Sequence, residues 1–231
     1  MALTARDRLI DAAFELFDER GYDQTTVDEI AARAGAGRTT FFRLFRAKED
    51  VIFPPHEALL EAAAARLATA TAETAGVALT EATGIVLEYY LTEGRRARVR
   101  YRLTTAAPAL RDREFASMRL YQRLFREFAQ RWLPDTPADR LRAELLGNAA
   151  VTAHNHVLRR WLRGETEAVR EEFADAMAEV LRLHGAGVGP AAAPAPDTSE
   201  AEESAQAPAV VVLRTRKDLD RFLPQLERLL E

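Results

Sequence analysis

The chain has 231 residues, of which 48% are hydrophobic, and a formal net charge of −4. These values are typical of one large or two modest globular domains and exclude a uniformly basic nucleic-acid binder. The absence of cysteine excludes disulfides and thiolate metal sites and fits a reducing cytoplasm. Since no stretch approaches the roughly 20 apolar residues of a membrane helix, we expect a cytoplasmic protein without membrane contact.

The N-terminal region has a helical pattern of apolar residues. Thr4 is a suitable N-cap for a first helix, and Gly21 is a suitable C-terminal stop. A second short helix should begin at Thr26, because Thr26 and Glu29 form the Ser/Thr-x-x-Glu pattern of a capping box. After a glycine-containing turn, a third short helix is predicted over about 38–45.

The middle of the chain is also helical in pattern. A fourth helix begins beyond Lys48, is interrupted at Pro54-Pro55 and resumes over 56–73, with the sequence HEALLEAAAARLATATAE. Later helices are predicted near 77–92, 95–106, 110–133, 137–163 and 165–184. Glycines and prolines punctuate these segments. We therefore expect an all-α fold.

The C-terminal region differs in composition. Residues 186–209 are rich in Ala, Pro, Ser and Glu and predict a disordered linker. Strand-like alternation is confined to a short stretch, AVVVL, at 209–213. Residues 210–231 form an amphipathic segment whose leucines need a surface to dock on, in this chain or on a partner.

The third predicted helix has two different faces. At about 100° per residue, Phe41, Leu44 and Phe45 share one arc, which we expect to pack in a core. The opposite arc carries Phe42 with exposed polar and cationic neighbours. Those neighbours are Arg38, Thr39, Arg43 and Arg46. Between residues 30 and 48 the sequence has five cations and no acid. The alternative for Phe42 is that it packs sideways under the fourth helix.

Two short helices joined by a glycine-containing turn, with the second one basic, form the helix-turn-helix arrangement. The surrounding residues add an ordered series: Ala13 and Phe17, Gly21-Tyr22, Thr25-Thr26-Val27, Ile30-Ala31, Ala34-Gly35, Thr40-Phe41, Phe45, and Lys48-Glu49. This series, over about residues 4–53, resembles the DNA-binding head of the tetracycline-repressor (TetR) family. The resemblance implies a small DNA-reading head and a larger helical body that binds a small molecule and dimerises. Most members of that family are repressors that a ligand releases from DNA.

The resemblance and the composition of the C-terminal region together predict four regions. These are a helix-turn-helix DNA-binding domain (1–47), an effector-binding and dimerisation domain (48–185), the linker (186–209) and the C-terminal amphipathic segment (210–231). The resemblance also implies DNA contacts from Thr26, Arg38, Thr39, Thr40, Phe42, Arg43 and Lys48. Thr26 and Lys48 would lie at phosphates, and the others would line the recognition helix. Three positions depart from the family pattern: Gly37 replaces a hydroxyl N-cap, Thr39 a smaller residue and Phe42 a frequent tyrosine.

The middle helices carry the residues expected to bind an effector, because ligand sites are largely apolar cavities with a few polar groups. The candidates are Tyr89, Tyr101, Arg98, Arg102, Met118, Tyr121, Phe125 and His154. The arginine-rich run at 95–102 predicts a solvated face near the head. The alternative is that its arginines contact an anionic effector. His154-Asn-His156 does not predict a metal site, since helical positions two apart point about 200° apart.

The segments at 137–163 and 165–184 occupy the dimerisation position of the family. The candidate interface residues are Leu141, Leu145, Ala149, Phe173, Met177 and Val180, with an intrachain core as the alternative. We expect a homodimer on a pseudo-palindromic double-stranded operator, without metal or cofactor.

Two other functions stay open at this point. A regulator could be controlled by protein contacts through residues 214–231, without a small ligand. A helical enzyme with an incidental helix-turn-helix head is a remote alternative, because the sequence shows no nucleophile–base pair, metal spacing or phosphate loop.

Overall fold

The computed structural model describes residues 3–185 and 187–188. Regular structure in this part of the chain is entirely helical, which confirms the all-α prediction. The α-helices are α1 (Ala5–Arg20), α2 (Val27–Arg33), α3 (Arg38–Leu44), α4 (His56–Ala68), α5 (Ala75–Glu93), α6 (Arg95–Ala106), α7 (Pro108–Gln130), α8 (Pro137–Leu162) and α9 (Val169–His184), and a 3₁₀ turn spans Lys48–Val51. Among these described helices, each is too short or too polar to cross a membrane.

Helices α1–α3 and the 3₁₀ turn form the head. The hydroxyls of Thr4 and Thr26 accept from backbone N–H groups three residues later, and both capping boxes are complete. Gly21 closes α1 at φ 84°, a left-handed conformation that glycine adopts without strain. By contrast Gly37 gives α3 no side-chain cap, so α3 depends on packing for its position.

The head has its own hydrophobic core, which extends into the first helices of the body. Leu9, Ile30 and Phe41 are fully buried at its centre. Val99 and Leu103 from α6, together with Leu110 from α7, complete the same cluster. Residues far apart in sequence therefore close the core behind α3.

Helices α4–α9 form the body, and α8 packs against both α7 and α9. A second core runs through it and includes Leu79, Phe125 and Leu146. Gly147 marks the closest approach of α8 to α7: a Cβ there would lie 2.8 Å from the backbone nitrogen of Arg126. Glycine is required because backbone atoms cannot yield to an added methyl group.

The helix boundaries differ from the sequence predictions most at the start of α9 and the end of α4. Helix α9 begins at Val169 instead of 165, because the Thr166 hydroxyl accepts from the N–H of Ala168 at 3.1 Å and forms a local turn. Helix α4 ends at Ala68, where threonines at 69, 71 and 74 make short-range side-chain hydrogen bonds. The AVVVL stretch, the segment 210–231 and the predicted linker apart from residues 187–188 lie outside the described residues.

Candidate functional site

The outward face of α3 carries the predicted recognition residues. Phe41 is fully buried, whereas Phe42 is 44% exposed. Arg38, Thr39 and Arg43 are exposed beside Phe42, and Thr40 and Leu44 are half-buried. The predicted division between the two phenylalanines is confirmed, and the alternative that Phe42 packs under the fourth helix is wrong.

Phe42 supports a neighbouring cation on this face. Its ring meets Phe41 edge-on at a centroid distance of 5.5 Å, and the guanidinium of Arg38 lies 5.0 Å from its centroid. Arg38 also pairs with Asp28 of α2 at 2.8 Å. Within the described residues Arg43 makes no ion pair, so its charge faces solvent without compensation.

Thr26 and Lys48 are engaged inside the head. The Thr26 hydroxyl donates to Glu29 at 2.8 Å and accepts from its N–H. Lys48 Nζ donates to the carbonyls of Tyr22 and Thr25, both at 2.8 Å, and lies 3.9 Å from the centroid of the Tyr22 ring. Partial burial lowers the pKa of Lys48. Both residues hold the segment between α1 and α2, and their phosphate contacts stay predictions.

A small cavity of about 50 Å³, here named the inner cavity, lies between α4, α5, α7 and α8. Four predicted effector residues, Met118, Tyr121, Phe125 and His154, line it. The remaining lining residues are His56, Thr83, Val86, Tyr90, Glu114, Ser117, Val151, Asn155 and Leu158. Most of this wall is apolar, as expected of a ligand site.

A second cavity of about 220 Å³, here named the outer cavity, adjoins the first. Tyr101, another predicted effector residue, lines it together with Arg111 and Arg159. Both cavities share the wall formed by Tyr90, Glu114, Met118, Asn155 and Leu158. A side-chain rearrangement in this wall would join the two volumes.

Three predicted effector residues line neither cavity. The Tyr89 hydroxyl donates to Glu93 at 3.1 Å. Arg98 stacks on Trp161 at 5.1 Å, and Arg102 pairs with Asp18 of the head. The arginine-rich run therefore contacts aromatic and acidic partners in this structure. The apolar spacing of the sequence could not show which of Tyr89 and Tyr90 faces a cavity, because both positions fit the pattern of a buried helix.

Sequence reasoning missed His56 and Asn155 as lining residues of the inner cavity. His56 follows Pro55 at the start of α4, where no periodicity distinguishes it from a solvent-exposed residue. Its Nδ1 lies 3.2 Å from the Tyr121 hydroxyl, and this contact connects α4 with α7. Only the tertiary fold reveals this contact.

The two cavity histidines are held neutral. Burial lowers the pKa of His154 to about 4, and burial with the charges of Arg100 and Arg113 does the same for His56. His156, two residues beyond His154, is exposed. The prediction that His154 and His156 point apart is confirmed.

Arg100 joins the body to the head. Its side chain is 3% exposed, it donates to the Ile52 carbonyl, and its Nη2 lies 2.8 Å from Glu93. The guanidinium lies 5.5 Å from the ring of Phe14 in α1 and 5.3 Å from the ring of Tyr90 in α5. Because Tyr90 lines both cavities, one buried cation connects the cavity wall to the head.

Other α6 arginines add ion pairs to α1. Arg96 pairs with Asp11, and Arg95 pairs with Asp18 at 2.5 Å. Helix α6 is therefore attached to the head through charge as well as through the shared core.

The predicted interface residues divide into two groups. Leu141 and Leu145 are 56% and 46% exposed on one face of α8, and Ala149 is half-buried one turn further along. The assignment of a second group needs correction: Phe173, Met177 and Val180 are buried in the body core, so they have little surface left for a partner.

Comparison with known proteins agrees with this architecture. Residues 9–53 match the family described as bacterial regulatory proteins, tetR family. The HTH-type transcriptional regulator TcmR of Streptomyces glaucescens is 47% identical over 62 residues, and this alignment covers 27% of each chain. The chain thus matches about a quarter of that relative's length.

Solved structures resemble the chain over a longer stretch. A putative TetR-family regulator from Syntrophomonas wolfei has a TM-score of 0.59 at 14% identity, covering 78% of this chain and 95% of the other. The SmeT–triclosan complex, from Stenotrophomonas maltophilia, gives 0.55 at 16% identity with 78% and 90% coverage. NalD of Pseudomonas aeruginosa gives 0.54 at 18% identity with 80% and 98% coverage. The head thus matches the tetR family of bacterial regulatory proteins over residues 9–53, and the chain shares the helical fold of these solved structures.

Proposed function

We propose that the chain is a cytoplasmic transcriptional repressor that binds a pseudo-palindromic operator as a homodimer and leaves it when a small molecule enters the body. One observation carries the DNA-binding part. The face of α3 presents Arg38, Thr39, Phe42 and Arg43 to solvent, while Phe41 anchors the helix in the head core.

The exposed side chains suit base-edge recognition in a major groove. Arginine reads guanine through two hydrogen bonds, and threonine and phenylalanine can contact thymine methyl groups. Arg43 is free of ion pairs within the described residues, so it can reach a base without breaking an internal contact. To contact the duplex, Arg38 would have to break its ion pair with Asp28.

The link between cavity and head supports release by an effector. A molecule that fills the inner cavity contacts Tyr90, which packs on Arg100, and Arg100 holds the Ile52 carbonyl in the head. A ligand that binds better to one arrangement of this joint shifts the population toward it. The proposed mechanism is a change in the spacing of two heads in the dimer.

Selection of bound fragments from genomic DNA, followed by a mobility-shift titration at fixed salt, tests the DNA-binding part. Arg43→Ala should weaken binding to the selected operator by at least about tenfold, since one good bidentate contact is worth about 1–3 kcal/mol. Arg119→Ala is the matched control: Arg119 is an exposed arginine on α7 that makes no ion pair within the described residues. If Arg43→Ala bound the operator like the wild type, the recognition role of α3 would be wrong.

Lys48→Ala should weaken binding to all sequences alike and reduce the salt dependence of the affinity by about one ion if Lys48 reaches a phosphate. Because Lys48 also holds two carbonyls of the head, the melting temperature must be recorded beside the affinity. A loss of affinity with an unchanged salt slope would assign Lys48 to the architecture of the head alone.

A further inference from the structure

The inner cavity contains two buried nitrogen atoms without a hydrogen-bond partner in the described part of the chain. They are Nε2 of His56 and Nε2 of His154. A buried polar atom left unpaired costs stability, so such atoms are uncommon in folded proteins and call for an explanation. Both side chains line the same cavity, so a molecule bound there can supply a hydrogen-bond partner to each nitrogen.

The hydrogen bonds around His154 determine what its Nε2 can do. Nδ1 of His154 lies 3.1 Å from Oδ1 of Asn155, and the amide nitrogen of Asn155 donates to Met118 Sδ at 2.9 Å. The reverse amide orientation would place the oxygen against a thioether, which has no proton to donate. Since an amide oxygen only accepts, the His154 proton sits on Nδ1. In the neutral ring, Nε2 then carries a lone pair and is an acceptor.

The rest of the wall offers few other polar contacts to a ligand. The hydroxyls of Thr83 and Ser117 donate to the carbonyls of Leu79 and Arg113, at 2.8 and 3.2 Å. Glu114 contributes a carboxylate, another acceptor, at the wall shared with the outer cavity. The contact between His56 Nδ1 and the Tyr121 hydroxyl leaves one donor in this wall, either Nε2–H of His56 or the hydroxyl of Tyr121. At His154 and Glu114 a ligand meets acceptors, so an anionic group placed there would face both a lone pair and a carboxylate.

Space for a larger molecule depends on Met118. This side chain lies in the wall shared by the two cavities, and its sulfur accepts a hydrogen bond from the amide of Asn155. Methionine is unbranched and flexible, so it can adopt another rotamer at little cost. Its movement would join volumes of about 50 and 220 Å³ into one site.

We propose that this site takes a neutral, largely aromatic molecule bearing a hydroxyl group, and that His154 Nε2 accepts the hydrogen bond from that hydroxyl. The inference deepens the proposed function, because it assigns the chemical class of effector to the cavity. The aromatic part packs on the apolar wall of Val86, Phe125 and Val151, and the hydroxyl satisfies the buried nitrogen.

The test uses three bicyclic probes that differ at one substituent: 1-naphthol, 1-methoxynaphthalene and naphthalene. Calorimetric titration of the full-length protein, without DNA, should give 1-naphthol at least tenfold tighter binding than either analogue. In His154→Phe, which keeps an aromatic ring but removes the acceptor, this preference should disappear. His156→Phe is the matched control, because it changes an exposed histidine two residues away and should retain the preference.

Two further measurements protect this test against a folding artefact. Helical content and melting temperature identify a His154→Phe variant that fails to fold, and His154→Gln, whose amide oxygen can accept, should recover part of the preference. Nitrogen NMR of the wild-type histidines should find His154 protonated at Nδ1 and bare at Nε2.

The proposal is overturned if the wild type binds the three probes equally or not at all, or if His154→Phe retains the preference for 1-naphthol. Because these titrations contain no DNA, a failure of operator binding would remove the proposed repressor function and leave this result standing. Conversely, operator binding with no preference among the probes would remove only the assignment of the ligand class.

Discussion

Phe42 is an exposed aromatic residue among cations, and its neighbours give it a role even without DNA. The ring supports the guanidinium of Arg38, and this guanidinium is also held by Asp28. Together these contacts orient Arg38 on the surface of α3. The wheel pattern of the sequence predicted that Phe42 faces outward, but the pairing with Asp28 depends on how α2 and α3 meet.

Phe42→Ala should weaken operator binding by roughly tenfold, or about 1.4 kcal/mol, because it removes both apolar contact and the support of Arg38. Phe42→Tyr should hold or improve the affinity, since it keeps the ring and adds a hydroxyl that can reach a phosphate. Mobility-shift titrations measure both. The melting temperature should stay nearly constant, as expected of an exposed position. Equal affinity for Phe42→Ala and wild type would contradict a role at the duplex.

His154 should make folding stability depend on pH. Its pKa is about 4 in the folded chain, against an ordinary value of 6.5. Above pH 6.5 both states are neutral, so the contribution is fully present. As pH falls from 6.5 toward 4 the unfolded chain takes up the proton first, and stability is lost. Between pH 7 and 4.5 this loss should be roughly 2–3 kcal/mol, because one pKa unit is worth about 1.4 kcal/mol.

Urea unfolding of wild type and His154→Gln at both pH values measures this contribution. The variant should lose less stability on acidification than the wild type. His156→Gln, which changes an exposed imidazole, should keep the wild-type dependence. A parallel decline in all three proteins would show that His154 is not the group responsible.

Helix boundaries and helix contacts differ in how far the sequence predicts them. Capping residues such as Thr4 and Thr26 are local signals, and the predicted N-cap at Thr4 and the predicted capping box at Thr26 both form. The predictions of the end of α4 and the start of α9 were wrong by about four or five residues. Short-range hydrogen bonds of threonines end α4 earlier than predicted, and a similar hydrogen bond makes α9 begin later. Cavity walls were predicted only in part, since they combine α4, α5, α7 and α8, whose relative positions no local pattern specifies.

Gly147→Ala should destabilise the chain, although alanine favours helices. The new Cβ would lie 2.8 Å from Arg126 N and 3.0 Å from Gln122 O, so α7 and α8 would have to separate. Overpacking of this kind costs about 1–3 kcal/mol. Gly84→Ala in α5 is the matched control, because its Cβ meets only the Phe173 side chain, at 3.4 Å.

Chemical denaturation of these two variants measures the effect. Gly84→Ala should be neutral or stabilising by up to about 1 kcal/mol, the usual helix preference for alanine over glycine. If both variants were stabilised equally, the close approach of α7 and α8 at Gly147 would be wrong.

At the scale of the whole molecule, we expect a second copy to contact the exposed apolar face of α8. Leu141 and Leu145 are one turn apart and exposed, and Ala149 continues the same side. The sequence identified this stripe, but it could not distinguish it from the buried stripe of α9. That distinction required the position of α9 against α5 and α8.

Leu141→Asp combined with Leu145→Asp should weaken self-association at least about tenfold, since two charges would be placed in an apolar contact. Analytical ultracentrifugation over a range of concentrations measures the dissociation constant. Leu3→Asp, at an exposed leucine of the head, is the control and should leave association unchanged. Wild-type association by the double variant would place the dimer contact elsewhere.

The head core is closed by Val99, Leu103 and Leu110, which all lie outside the stretch of residues 9–53 that the family shares. This has a consequence for engineering. A chimaera that joins residues 1–55 to the body of another regulator would leave an apolar patch on α1 and the 3₁₀ turn facing side chains that did not evolve with it. A transferable reading unit should therefore carry α6 and the start of α7 with the first three helices. In this chain the head, which we propose reads an operator, is completed by side chains that lie beyond the matched residues 9–53.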